Sequence, residues 1–128
     1  YTYSAHPVGA AAVIACLSET ERLDTKFNAQ VRGTQLYNGV MELAKKHTIV
    51  GDVRGGHGLM LGIELVSDQS KKTPLDMSDM KKIHQKTYEF GAMVRLGLNN
   101  ILMSPPLTIS ENEVNQILGA LDEGLTAI

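Results

Sequence analysis

The chain has 128 residues, 43% of them hydrophobic and 20% charged, which is the composition of one globular domain and excludes a disordered or fibrous chain. With 12 Lys and Arg against 14 Asp and Glu the net charge is -2, so there is no basic field to attract nucleic acid. The single cysteine, Cys16, can form no intramolecular disulfide, which fits a cytoplasmic protein. The longest apolar run, Pro7 to Leu17, falls well short of the roughly 20 residues that span a bilayer, and no basic start precedes it as in a signal peptide. The chain begins at Tyr1 instead of Met and enters an apolar segment almost at once, as a piece of a longer protein does.

A first helix is expected from about Ala5 to Leu17, with Ser4 as its N-cap and Pro7 in its first turn, where a missing N–H costs nothing. Its residues from Val8 to Leu17 are apolar nearly all round, the pattern of a helix covered on every side. A second helix is expected over Thr20 to His47, from the spacing of Leu23, Phe27, Val31, Leu36, Val40 and Leu43, with Gly33 and Gly39 as weak points. Ile49 to Arg54 and Leu59 to Val66 read as an antiparallel pair of strands separated by the glycine-rich Gly55-Gly56-His57-Gly58. Ser67 to Asp76 reads as an exposed loop, and Met80, Ile83, Thr87 and Tyr88 as one face of a helix ended by Gly91. Ala92 to Arg95 and Asn100 to Met103 are expected as strands joined by a turn. Ser110 with Glu113 spells a capping box, followed by the stripe Val114, Ile117, Leu118, Leu121 and Leu125. The order predicts an α+β fold, a small antiparallel sheet with helices packed on one face.

Taken alone, these residues define no catalytic site. Gly55-Gly56-His57-Gly58 lacks the spacing of a phosphate-binding loop, and His6, His47, His57 and His84 share no metal-ligand spacing. Cys16 within an apolar helix is a small packing residue, and Lys71-Lys72 a solvated loop charge.

Four ordered segments carry more. They are Tyr1-Thr2-Tyr3-Ser4-Ala5-His6-Pro7-Val8-Gly9; Asp52-Val53-Arg54-Gly55; Gly58-Leu59-Met60-Leu61-Gly62-Ile63-Glu64-Leu65; and Val94-Arg95 through Ser104-Pro105-Pro106-Leu107. Together they resemble the C-terminal part of a class III pyridoxal-phosphate-dependent aminotransferase, the ω-amino acid:pyruvate type in particular. The resemblance covers the whole chain. It implies the small C-terminal domain of a fold-type I enzyme, with residues 1–19 as a linker helix from a large cofactor-binding domain and 20–128 as the small α+β domain. It further implies a homodimer or higher homo-oligomer, a small-molecule amino donor and a keto acid as substrates, and a Schiff-base lysine upstream of Tyr1, so that this piece alone is inactive.

By the same resemblance, Thr2, with the backbone beside Tyr1, binds the cofactor phosphate of the partner subunit, and Arg95 takes the substrate carboxylate at the edge of the active site. A hydroxyl and free N–H groups before a helix suit a phosphate, and a guanidinium suits a carboxylate. Acetylornithine- and ornithine-type members carry an arginine where this chain has Leu102. Ala5 stands where the family has Gly, and the turn after Arg54 is one residue longer than usual. A diaminopelargonate- or aminomutase-type enzyme, or a freestanding α+β interaction domain, are the competing readings.

Overall fold

The computed structural model describes Thr2 and residues 4–128. In chain order the elements are α1 (Pro7–Arg22), α2 (Thr25–Lys46), β1 (Val50–Gly55), β2 (Leu61–Asp68), β3 (Thr73–Pro74), α3 (Met77–Glu89), β4 (Arg95–Gly97), β5 (Asn100–Met103) and α4 (Glu111–Leu125). The sheet runs β1-β2-β5-β4, with β3 added to β2, and every pairing is antiparallel. Its parity separates two faces. Val53, Ile63, Ile101 and Leu96 are in register on one, which α2, α3 and α4 cover, so that Leu36, Val40, Ile63, Ile83, Ile101, Val114 and Leu121 join in one core. The other face is uncovered. The α+β architecture with helices on one face is therefore as expected.

Local chemistry sets the helix ends. Asp76 caps α3 by accepting from the Ser78 N–H at 2.7 Å. Gly91, at φ 95°, ends it in a Schellman arrangement in which the Gly91 N–H bonds the Tyr88 carbonyl and the Ala92 N–H bonds that of Thr87. At α4 the expected capping box forms in both directions, Glu113 N–H to Ser110 Oγ at 3.3 Å and Ser110 N–H to Glu113 Oε2 at 2.7 Å.

Several expectations are corrected. The N-cap of α1 is His6 and not Ser4, because Ala5 at φ 58° breaks the helical path before Pro7. The helix then continues past Leu17 to Arg22, since nothing breaks it until Asp24 turns left-handed at φ 43°. Asp24 starts α2 at Thr25 by accepting from the Phe27 N–H. The helix α2 runs unbroken through Gly33 and Gly39, which are contact points. A Cβ at Gly33 would overlap the Gly58 carbonyl, and one at Gly39 the Leu118 side chain. Tyr88 leaves the buried face of α3, because eight residues from Met80 put it about 80° round the helix, and it is exposed. Ala92 to Val94 are not strand: the Ala92 N–H is spent on the α3 cap, and the ladder starts only at Arg95. The Ser67–Asp76 stretch is not all loop, since Thr73–Pro74 pairs with β2.

The largest departure is α1. The apolar sequence predicts a covered helix, yet none of its residues is buried, and Val8, Val13, Ile14 and Leu17 are 57 to 71% exposed. No helix among the described residues is long and apolar enough to cross a membrane.

Candidate functional site

The uncovered face is where polar chemistry collects. Arg54 on β1 is in register with Gly62 on β2, Gly62 with Leu102 on β5, and Leu102 with Arg95 on β4. These four residues therefore form one row straight across the sheet on a common face. The neighbouring row is Asp52, Glu64, Asn100 and Gly97. Gly62 contributes no side chain, the Leu102 side chain reaches toward its position, and the two ends of the row carry guanidinium groups.

A cleft of about 540 Å³ follows this row, with Arg54, Gly62, Leu102 and Arg95 among its walls. A second, of about 800 Å³, lies between the ends of α3 and α4 and the Pro105-Pro106 segment, and His84, Met93 and Gln116 help to line it. Arg95 and Leu102 border both. Among the lining residues of the two clefts there is no lysine.

The two arginines differ in their surroundings. Arg54 Nε donates to Asp52 Oδ2 at 2.8 Å, and its Nη2 lies 3.4 Å from Glu64 Oε2, which Lys72 Nζ also approaches at 3.8 Å. The hydrogen bond from Arg54 holds the Asp52 carboxyl below the usual aspartate range, and the carboxylate in turn raises the arginine. Arg95 is exposed and has no acidic partner among the described residues. It is the uncompensated cation of this face.

Arg95, singled out in the sequence, borders both clefts. Thr2 is exposed in the turn before α1. The N-cap His6 makes no side-chain cap bond and Pro7 has no N–H, so the first turn of α1 leaves the Val8 and Gly9 N–H groups to other acceptors. This donor set suits a phosphate. Tyr1 lies outside the described residues. No hydrogen bond or ion pair among the described residues joins Thr2 to Arg95, so the two ends of the expected site are not brought together here. What the sequence reading missed is the arrangement of Asp52, Arg54 and Glu64 beside them. The i, i+2 spacing of Asp52 and Arg54 on a strand was the available signal, but their approach to Glu64 depends on register.

The fold corresponds to the smaller part of a known class of enzymes. The chain belongs to the family "Aminotransferase class-III", which it matches over residues 1–125. It is 33% identical to alanine–glyoxylate aminotransferase 2 homolog 2, mitochondrial, of Arabidopsis thaliana, over 98% of this chain and 26% of that protein. It is 30% identical to the leucine/methionine racemase of Thermococcus litoralis, over 100% of this chain and 29% of the relative. Among solved structures it resembles an amine transaminase from an uncultivated Pseudomonas species in its PLP-bound form, with a TM-score of 0.91 and 37% identity over 98% of this chain and 29% of that one. An (S)-enantioselective ω-transaminase from Thermomicrobium roseum gives a TM-score of 0.87 at 31% identity, over 98% of this chain and 28% of that one. The chain thus spans less than a third of the relatives it matches.

Proposed function

We propose that this chain forms the small-domain wall of a pyridoxal-phosphate-dependent transaminase of the ω-amino acid:pyruvate type, which moves an amino group from an amine or ω-amino acid to a keto acid such as pyruvate. When bound, pyridoxal phosphate supplies the electron sink for that transfer. The chain's own contribution is binding and orientation. Arg95 receives the substrate carboxylate through a bidentate pair at the cleft mouth, and Leu102 beside it gives the substrate body an apolar wall. Thr2 and the free N–H groups at the start of α1 hold the cofactor phosphate in a homodimer, from the neighbouring subunit. Residues 1–19 act as the linker and 20–128 as the small domain, and the Schiff-base lysine comes from outside these 128 residues.

The observation that carries this reading is the unpaired Arg95 on the uncovered face, beside Leu102 and not an arginine at that position. The test is the visible spectrum of the natural gene product containing this chain, before and after an amino donor is added. A yellow chromophore that bleaches with the donor and returns with pyruvate supports the transaminase. A colourless protein that takes up no pyridoxal phosphate refutes it.

A further inference from the structure

The uncovered face holds two arginines at opposite ends of one row, yet it is not a two-cation site. Its charged side chains are Asp52, Arg54, Glu64 and Arg95, with Lys72 reaching Glu64 from the β2–β3 turn. Asp52 and Glu64 offset Arg54 and Lys72, which leaves the charge of Arg95 alone uncancelled. The two ends of the row differ in their electrostatics. At the Arg54 end two carboxylates, Asp52 and Glu64, lie against the guanidinium. At the Arg95 end there is none among the described residues.

We infer that Asp52 is a specificity-determining residue of this cleft: by occupying the Nε edge of Arg54 it silences the second guanidinium, so that the cleft accepts one carboxylate and turns away a dicarboxylate. The inference rests on the proposed role of Arg95 as the carboxylate site and extends it to the number of carboxylates admitted. Asp52 acts through Arg54 and is a positioning residue; it takes no part in bond making. Gly62 and Leu102 lie between the two arginines in the row, and a Cβ at Gly62 would meet only the Leu102 side chain, at 3.6 Å. The 2.8 Å bond from Arg54 to Asp52 joins residues two apart on one strand, a short and local pairing that costs little side-chain freedom to maintain. Glu64 alone, at 3.4 Å from Nη2, leaves the Nε edge open. An aspartate-to-asparagine change at the exposed position 52 keeps the shape and removes the negative charge, leaving Arg54 Nε with a neutral acceptor that an added anion outcompetes.

The test uses the natural protein containing this chain, labelled with ¹⁵N, following the arginine Nε–H signals of Arg54 and Arg95 while acetate or succinate is added. In the native chain the Arg95 signal moves with either acid, the Arg54 signal stays, and succinate binds no more tightly than acetate. In Asp52→Asn both signals move with succinate, and the succinate-to-acetate affinity ratio rises by about two- to fivefold, the range of an exposed ion pair. The double variant Asp52→Asn with Arg54→Gln loses that gain. Movement of Arg54 in the native chain, or an unchanged ratio in Asp52→Asn with a native backbone spectrum, overturns the inference. Silence of Arg95 toward both acids refutes the proposed carboxylate site instead, a result the Arg54 signal reports separately.

Discussion

Arg95 and Leu102 are cross-strand partners on β4 and β5, so a free guanidinium and an apolar side chain stand side by side at the mouth of both clefts. In the natural protein containing this chain, Arg95→Ala should lower kcat/KM for carboxylate-bearing acceptors by about ten- to a hundredfold, the worth of hydrogen bonds to a charged group. Turnover of amines that lack a carboxylate should change little. Steady-state kinetics with paired substrates check this, and an equal loss for both classes would refute the assigned role.

A second prediction concerns the α3–α4 contact. Gly124 faces Thr87, which is fully buried and whose Oγ1 donates to the Ile83 carbonyl at 2.8 Å. A Cβ at position 124 would overlap that hydroxyl and come within 3.0 Å of the same carbonyl. Gly124→Ala should therefore destabilise the fold by about 1–3 kcal/mol despite the better helix propensity of alanine. Urea unfolding reads this as a lower midpoint at unchanged slope.

A third prediction concerns acid. Asp122 on α4 accepts from Lys46 Nζ at 2.7 Å and from the ring of His47 at 2.6 Å, which ties α4 to the end of α2. The hydrogen bond from Lys46, then that from His47, holds its carboxyl below the ordinary aspartate range. A carboxyl with a depressed folded-state pKa stabilises the fold above its unfolded value of about 4, and the contribution fades as the pH falls through the lower folded value. Asp122→Asn should accordingly lose stability at neutral pH and show a flatter decline below about pH 4. Thermal unfolding of both proteins from pH 7 to 2.5 compares the slopes; parallel curves would show that the tie carries no linkage.

A fourth prediction concerns α1, whose Val8, Val13, Ile14 and Leu17 are all exposed. As an isolated chain the protein should self-associate and bind a hydrophobic dye, and Ile14→Glu should reduce both. Light scattering with dye titration checks this, and a monomeric, dye-silent native chain would contradict it.

The elements most legible in the sequence are those in which one signal settles both the start and the buried face. For α4, the Ser110–Glu113 box and the stripe from Val114 to Leu125 agree. Where two signals compete for one residue the sequence reading slips. Ala92 has the apolar look of a strand, but its N–H finishes the α3 cap. The break at Asp24 rests on one left-handed residue within an otherwise unbroken helical pattern. In the candidate site the segment around Arg95 pointed to the family, whereas the meeting of Asp52, Arg54 and Glu64 had no such signal. That meeting requires the register between β1 and β2, including the shift between Val50 and Asp52, and no local spacing encodes it.

The approach of Gly33 to the Gly58 carbonyl brings the backbone of α2 directly against the turn that follows Arg54. Contact between two main chains has no rotamer to change, so neither can give way without moving the other. The opposite wall is the β4–β5 hairpin, which has a three-residue strand at the sheet edge and Leu98 at its tip, left-handed and 81% exposed. The cleft works like a vice with one fixed jaw and one yielding jaw. On the proposed reading of the cleft, adjustment to ligands of different size is expected to fall to the hairpin that bears Arg95, with the Arg54 wall held by the helix behind it.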